Sequence, residues 1–141
     1  MSELIHSTQI KEIGADAAEF LEENMLILFG KNAPPELAPY CYLHDSGEGS
    51  VDIHVGDVLM IDGEACPITA IGEEALRTFR ELGHMTVKFD GAAEAAQPGV
   101  MHVRHDGVPP IVVGSVFAFQ KGEKDRKHHI FKLFQKGRKN L

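Results

Sequence analysis

The sequence lacks the short motifs by which many phosphate-binding, redox and hydrolytic enzymes are recognised. It has no GxxxxGK phosphate loop and no GxGxxG turn. It also has no HExxH, CxxC or GxSxG segment. These absences leave no sequence basis for a standard nucleotide-binding, dinucleotide-binding, zinc-protease or serine-hydrolase function.

Cysteine is scarce, since Cys41 and Cys66 are the only two in 141 residues. Two cysteines cannot form the multiple disulfides of a small secreted domain, and by themselves they are too few for a structural zinc site. The alternation of segment 40–44 points Cys41 inward, which favours a buried structural thiol. No apolar run approaches the roughly 20 residues of a membrane span, and residues 1–11 do not resemble a signal peptide. We therefore expect a cytoplasmic chain with free thiols.

Charge is unevenly distributed along the chain. Residues 1–120 carry six Lys/Arg against nineteen Asp/Glu, a balance of −13, whereas residues 121–141 carry eight against two, a balance of +6. We expect residues 1–120 to form a single domain, since this length can bury a core of its own, and residues 121–141 to form a basic tail. The acidic body should repel nucleic acid and attract basic protein surfaces.

The pattern of apolar residues and turn residues predicts a mainly β fold with two short helices. Helices are predicted at 16–23, where Asp16 and Glu19 have the spacing of a capping box, and at 73–82. An Asp-Gly pair at 62–63 is typical of a β-hairpin turn. Seven or eight short strands favour a small closed β-barrel, because closure hides strand edges. Strands are predicted at 4–13, 25–29, 40–44, 57–61, 65–71, 84–90, 100–104 and 111–119.

Histidine is the residue type that stands out, with eight copies in the chain. A neutral imidazole nitrogen is a nucleophile near pH 7 and can take up a phosphoryl group. His44 ends a predicted strand and opens a Gly-rich loop, so a partner could reach it, although from position alone an ordinary surface histidine is the simpler interpretation. His84 shares a strand face with Thr86, where it could orient another imidazole or merely bond at a strand edge.

The remaining histidines suggest less chemistry. His102 and His105, with Asp106 beside them, have only loosely metal-like spacing and no third soft ligand, so we expect no metal site. His54 is typical of a turn, and the pair at 128–129 lies among lysines in a polar stretch. We predict no cofactor.

Four segments together resemble a known family: MLILF (25–29), APPELAPYCYLH (33–44), ELGHMTVKFDG (81–91) and PGVMHV (98–103). They resemble the glucitol/sorbitol-specific IIA component of the bacterial phosphoenolpyruvate-dependent sugar phosphotransferase system, in colinear order from about residue 5 to residue 119. The loop DSGEGSVDIHVGD does not align with the family, and the basic tail extends beyond its usual length. The resemblance also implies a β-barrel.

The resemblance implies a phosphocarrier function. Such a component takes a phosphoryl group from the phosphohistidine of HPr, holds it on its own histidine, and passes it to a cysteine of a IIB component, while IIB and IIC phosphorylate the sugar during import. The histidine that closes the family's Tyr-Cys-aromatic-aliphatic-His segment is His44 here. We expect loop groups such as Ser46 to stabilise the phosphoryl oxygens. We expect His84, with Thr86, to support His44.

Alternatives remain open at this point. The chain could be a small β-barrel binding module that uses its basic tail for nucleic acid, or it could carry a histidine-based metal site. Within the family, it could be a regulatory phosphoacceptor that no longer feeds a transporter. For the carrier, the expected partners are HPr and the IIB/IIC components, without nucleic acid; a homo-oligomer is compatible with the sequence.

Overall fold

The described part of the chain, residues 3–122 of a computed structural model, forms nine strands and one α-helix. Two short 3₁₀ helices, Ala17–Glu23 and Ala38–Tyr40, lie between strands, and the α-helix α1 spans Ala75–Leu82. The strands are β1 Leu4–Ile13, β2 Met25–Gly30, β3 Tyr42–His44, β4 Glu48–Gly49, β5 Val58–Ile61, β6 Glu64–Ile71, β7 Met85–Lys88, β8 Val100–Val103 and β9 Val116–Gln120.

Eight of these strands close into a barrel. The ring runs β3-β2-β7-β8-β6-β5-β9-β1 and returns to β3, because β3 pairs with β2 on one side and with β1 on the other. The β2–β3 and β7–β8 pairs are parallel, and β4 adds to the edge of β1. Closure gives each ring strand two neighbours, which removes exposed edges. The predicted mainly β fold, a small closed barrel with two principal helices, is confirmed.

The barrel interior is filled by large apolar side chains from most of its strands. Each such side chain stabilises the fold by about 1.5–3 kcal/mol relative to leaving it in water. Helix α1 adds Phe79, which is also buried in this core. The following core residues are at most 1% exposed: Leu26, Leu28, Leu59, Ile61, Met85, Met101, Phe117 and Phe119.

Local geometry matches the sequence patterns at one turn and departs from them at Asp16, at residue 40 and in the last strand. Asp62 and Gly63 have φ of 49° and 87°, the left-handed pair that a tight β5–β6 hairpin needs, so that turn is confirmed. Asp16 forms no side-chain cap, so the capping box is absent and the first helix is 3₁₀. Residue 40 lies in a 3₁₀ helix, and β3 begins only at 42.

The last strand is shorter than predicted because a turn occupies its first residues. The backbone N–H of Ser115 donates to the carbonyl of Val112 at 3.0 Å, while the N–H of Val112 donates to the Ser115 hydroxyl at 2.9 Å. These reciprocal bonds divert 112–115 from the sheet, so β9 begins at Val116.

Within residues 3–122, no helix combines the length and the apolar character that a membrane crossing would need. Residues 123–141, which make up nearly all of the predicted basic tail and include the histidine pair at 128–129, lie outside the described residues.

Candidate functional site around His44

His44 lies at the end of the strand that closes the barrel, and its side chain faces inward with no exposed surface. In the two ladders it pairs with Gly30 of β2 and with Ile10 of β1. The sequence places His44 correctly at a strand end, but it did not predict burial. The three residues of β3 are all buried, so β3 does not alternate between a core face and a solvent face.

Both ring nitrogens of His44 have partners, and these partners define its tautomer. Nε2 lies 2.8 Å from the carbonyl oxygen of Gly83, which can only accept, so Nε2 carries the proton. Nδ1 accepts the backbone N–H of Ser46 at 3.0 Å. The hydroxyl oxygen of Thr8 lies 2.8 Å from the same Nδ1. A neutral His44 therefore has its lone pair on Nδ1, between Ser46 and Thr8.

A carboxylate supports the Thr8 hydroxyl from behind. The hydroxyl donates to Oδ1 of Asp45 at 2.9 Å, and that oxygen also accepts the backbone N–H groups of Gln9 and Gly47 at 3.2 and 3.0 Å. Burial by itself would raise the pKa of Asp45, but these three donors, together with the charge of Lys11, outweigh it and hold the pKa below its ordinary value. The Asp45 carboxylate, the Thr8 hydroxyl and the His44 imidazole thus form a chain. If Nδ1 carries a proton, the Thr8 hydroxyl can accept its hydrogen bond while donating to Asp45.

The environment of His44 keeps the imidazole neutral. Burial lowers the pKa of His44, and this effect exceeds the opposing contributions of the Gly83 carbonyl and the Asp45 charge. The ring also stacks against Phe79, with centroids 5.5 Å apart and planes 26° apart. A neutral, immobilised imidazole near pH 7 is suited to nucleophilic attack.

Gly83 has two roles in this geometry. It ends α1 in a left-handed conformation with φ of 71°, and its carbonyl binds His44. A Cβ at this position would lie 2.9 Å from Nε2 of His44 and 2.8 Å from the backbone nitrogen of Gly30. The glycine that ends α1 is therefore also a part of the site.

The loop after β3 covers the ring. Ser46 has φ of 67° and is exposed, its N–H bonds to His44, and its carbonyl accepts from Nε2 of His6 at 3.0 Å. The structure places the Ser46 backbone beside His44, and its role in stabilising phosphoryl oxygens stays a prediction. His6 and Thr8 are contacts that sequence reasoning missed, although in β1 they share the inward face with Ile10.

Within residues 3–122, neither His84 nor Thr86 forms a hydrogen bond with the His44 ring. The His84 ring stacks on Phe29 at 4.4 Å, almost parallel to it, and burial lowers its pKa. Thr86 pairs in the sheet with Ile27 of β2 and Val100 of β8. Ile27 lies three residues before Gly30, which is the β2 residue that pairs with His44. The groups within hydrogen-bond distance of the His44 ring are the Gly83 carbonyl, the Thr8 hydroxyl and the Ser46 N–H. The support expected of His84 and Thr86 stays a prediction.

The other singled-out histidines have separate partners. Nδ1 of buried His102 lies 2.8 Å from Asp90, and its Nε2 accepts the N–H of Ala96 at 3.1 Å. His105 bonds Glu64 at 3.1 Å. Among the residues that the structure describes, no group of three or more His, Cys, Asp or Glu is arranged to hold a metal ion.

The two thiols are buried. The Sγ of Cys41 donates to the carbonyl of Leu37 at 3.2 Å, and burial raises its pKa. Burial, with a smaller contribution from the charge of Glu64, raises the pKa of Cys66 to about 12. The prediction that Cys41 is a buried structural thiol is confirmed, and neither thiol has the low pKa of a reactive cysteine.

The comparisons with known proteins identify the class and then the family. The crystal structure of the PTS System IIA Component from Enterococcus faecalis V583 matches this chain with a TM-score of 0.70 at 23% identity, covering 81% of this chain and 98% of the other. A family model described as "PTS system glucitol/sorbitol-specific IIA component" matches residues 5–118. This chain is therefore a IIA component of a sugar phosphotransferase system.

Two relatives agree on the particular family. The PTS system glucitol/sorbitol-specific EIIA components of Shigella flexneri and Escherichia coli (strain K12) are each 40% identical to this chain over 117 residues, which is 83% of this chain and 95% of each relative. The chain belongs to the glucitol/sorbitol-specific IIA family, as the sequence resemblance predicted.

Proposed function

We propose that this IIA component is a cytoplasmic phosphocarrier whose acceptor is His44. It takes a phosphoryl group from the phosphohistidine of HPr and passes it to a cysteine of a IIB component, which with IIC serves the import of a glucitol/sorbitol-type sugar. The observation that carries the proposal is the neutral, buried His44, held by Gly83 on one nitrogen and facing Thr8 on the other.

The transfer step is a displacement between two imidazoles. The unprotonated nitrogen of His44 forms a bond to phosphorus, the N–P bond of the donor breaks, and its electron pair returns to the donor imidazole. The loose transition state of phosphoryl transfer needs positioning and charge stabilisation more than proton transfer. Each nitrogen of His44 has an acceptor for the retained proton: the Gly83 carbonyl for Nε2, and the Thr8 hydroxyl backed by Asp45 for Nδ1.

His84 would act on this step indirectly. Thr78 bonds the carbonyl of His84 at 2.7 Å and receives its backbone N–H at 3.2 Å, which anchors the chain directly after Gly83. Its ring, packed on Phe29, adds a further anchor. We propose that His84 supports His44 by holding the Gly83 carbonyl in place. Thr86, located in β7 two strands away from β3, would contribute only to the stability of this region.

Access to His44 requires the covering loop to move. Because the ring has no exposed surface, a donor histidine can reach it only when Ser46 leaves Nδ1 or when the ring turns. A cleft of about 380 Å³ lies beside this loop, and we propose that the donor imidazole enters here. It is lined by Ser7, Thr8, Gln9, Asp45, Gly47, Glu48 and Val116.

The charge of the body supports the choice of partner. A balance of −13 over residues 1–120 attracts a basic docking surface and speeds encounter with it. A carrier must release each partner quickly, so we expect a small, transient interface. The same acidic surface disfavours nucleic acid as a partner.

Onward transfer tests the carrier function. The chain is loaded with labelled phosphoryl from HPr, freed of phosphoenolpyruvate and HPr, and mixed with the cognate IIB component. We expect the label to move to a IIB cysteine. Label that stays on the chain in the presence of active IIB would contradict the carrier function and favour a regulatory phosphoacceptor.

A further inference from the structure

We propose that His6 is the latch of a lid that closes over His44. The lid is residues 45–47, with Ser46 at its centre. This inference rests on the proposed role of His44 as phosphoryl acceptor and adds a means of controlling access to it. The latch is the hydrogen bond from Nε2–H of His6 to the carbonyl oxygen of Ser46, at 3.0 Å.

Ser46 is held between two imidazoles. Its N–H is bonded to Nδ1 of His44 at 3.0 Å, and its carbonyl accepts from His6. Both rings pack on Phe79, with centroids 5.5 Å away for His44 and 5.4 Å away for His6. The His6 ring, which holds the lid, and the His44 ring, which lies beneath it, are therefore packed together through Phe79.

Among the described residues, the bond to Ser46 is the one hydrogen bond that the His6 imidazole forms. The side chain is 6% exposed and packs on Phe79 and Phe119. Its Nδ1 is buried and has no hydrogen-bond partner among the described residues. A buried unpaired nitrogen is costly, and an apolar ring would fill this space without that cost. The Nε2–H bond to Ser46 is the contact that accounts for a histidine here.

The lid has the properties of an element that can open. Ser46 adopts a left-handed φ of 67°, which is unfavourable for a non-glycine residue, and Gly47 follows at 58°. After the lid, the chain is tied to β1 by β4, where Gly49 has φ of 120°. Before Ser46, Asp45 is held to β1 by the bonds of its carboxylate to Thr8 and Gln9. Movement is therefore centred on Ser46, and losing the His6 bond lets Ser46 relax.

If His6 acts as a latch, removing its hydrogen bond should increase the access of a phosphoryl donor to His44. If His44 accepts phosphoryl only while the lid is open, the uptake rate is proportional to the open fraction. The typical net strength of one hydrogen bond corresponds to about a tenfold change in such an equilibrium. Removing the donor of His6 should therefore speed phosphoryl uptake, and it should also expose phosphohistidine to water.

The test compares His6→Phe with His6→Gln. Phenylalanine keeps the packing without a donor, whereas the glutamine amide keeps an N–H donor. His54→Gln, at a histidine whose side chain is 65% exposed, is the matched surface control. The readouts are hydrogen exchange of the Ser46 amide, the single-turnover rate of uptake from phosphorylated HPr, and the lifetime of the phosphorylated chain.

We expect His6→Phe to raise Ser46 amide exchange and phosphoryl uptake by up to about tenfold, and to shorten the lifetime of the phosphorylated chain. The glutamine variant and the His54 control should stay near the wild type. Unchanged exchange in His6→Phe, or slower uptake that glutamine does not restore, would overturn the latch.

A measurement on the wild type decides the case in which His6→Phe does not fold. The Nε2 proton of His6 and the amide proton of Ser46 should exchange through the same opening, with equal opening free energies. Clearly unequal values would overturn the proposal. The exchange measurements need no partner protein, so they stay decisive even if wild-type chain takes up no phosphoryl, a result that would count against the proposed function alone.

Discussion

The hydroxyl oxygen of Thr8 lies 2.8 Å from Nδ1 of His44, although the two residues are 36 positions apart in the sequence. Ile10 of β1 is the direct ladder partner of His44, so Thr8, two residues away, is its diagonal neighbour on the same face. The pairing of β1 with β3 also closes the barrel. The candidate site is therefore built by the same strand pair that completes the fold.

Replacing Thr8 by valine should impair phosphoryl uptake by at least about tenfold, equivalent to about 1.4 kcal/mol in the barrier. Valine has nearly the same shape, but it removes the hydroxyl from Nδ1 of His44 and one donor from Asp45. The lost hydrogen bonding should also lower the free energy of unfolding by about 1–3 kcal/mol. Single-turnover phosphorylation and urea unfolding measure the two effects. Thr8→Ser should recover most of both; an active Thr8→Val variant would argue against a role for the hydroxyl.

Replacing Gly83 by alanine should disturb His44 specifically. Gly107 offers a matched control, because its φ of 73° is close to the 71° of Gly83 and nothing lies within 4 Å of a Cβ placed there. Both alanine variants incur the left-handed penalty of about 1–2 kcal/mol. Only Gly83→Ala also crowds Nε2 of His44. We expect it to unfold at lower urea concentration than Gly107→Ala and to lose phosphoryl uptake; equal behaviour of the pair would contradict this geometry.

The stability of the protein should depend on pH through His44. Burial lowers its pKa in the folded chain, so below about pH 6.5 the unfolded chain binds a proton that the folded chain excludes. The unfolding free energy attributable to His44 is therefore fully present above about pH 6.5 and falls as pH decreases through the folded-state pKa. Its slope is at most about 1.4 kcal/mol per pH unit.

Urea unfolding of wild type and His44→Gln between about pH 5 and about pH 8 isolates this contribution. The difference between the two proteins should shrink as the pH is lowered. His105, whose pKa is raised by its bonds to Gly107 and Glu64, is present in both and cancels. A difference that does not vary with pH would show that His44 titrates normally.

The thiols of Cys41 and Cys66 should not react with thiol reagents in the folded protein. Burial raises the pKa of Cys41, and that of Cys66 rises to about 12, so neither forms much thiolate near neutral pH. An aromatic disulfide reagent should find almost no reactive thiol in the folded chain and two after denaturation. Rapid labelling of Cys41 in the folded protein would contradict its buried position and reopen it as a reactive group near His44.

The fold was largely predictable because its signals are local. Strand β1 has the bounds expected from its sequence, and the Asp62-Gly63 turn has the expected left-handed pair. The errors occur where side-chain and turn contacts override pattern. The reciprocal bonds between Val112 and Ser115 shorten β9, and no capping bond forms at Asp16.

The site was predictable only in its centre. The family resemblance pointed to His44, whereas His6 and Thr8, which share the inward face of β1 with Ile10, were not predicted. What brings them to His44 is the long-range β1–β3 pairing, which no local pattern contains. The contact of Gly83 is made by a backbone carbonyl, and carbonyl contacts leave no mark on residue type. For these reasons the supporting residues could not be read from spacing.

The most direct test of the account is intact mass after incubation with phosphoenolpyruvate, the first enzyme of the system and HPr. It is run on wild type, on His44→Gln, and on His102→Gln as a control at a second buried histidine. We expect one acid-labile phosphoryl group that requires HPr, persists in His102→Gln and is absent from His44→Gln. A wild type that gains no mass while HPr is demonstrably phosphorylated, or a His44→Gln variant that gains it in full, would contradict the central claim.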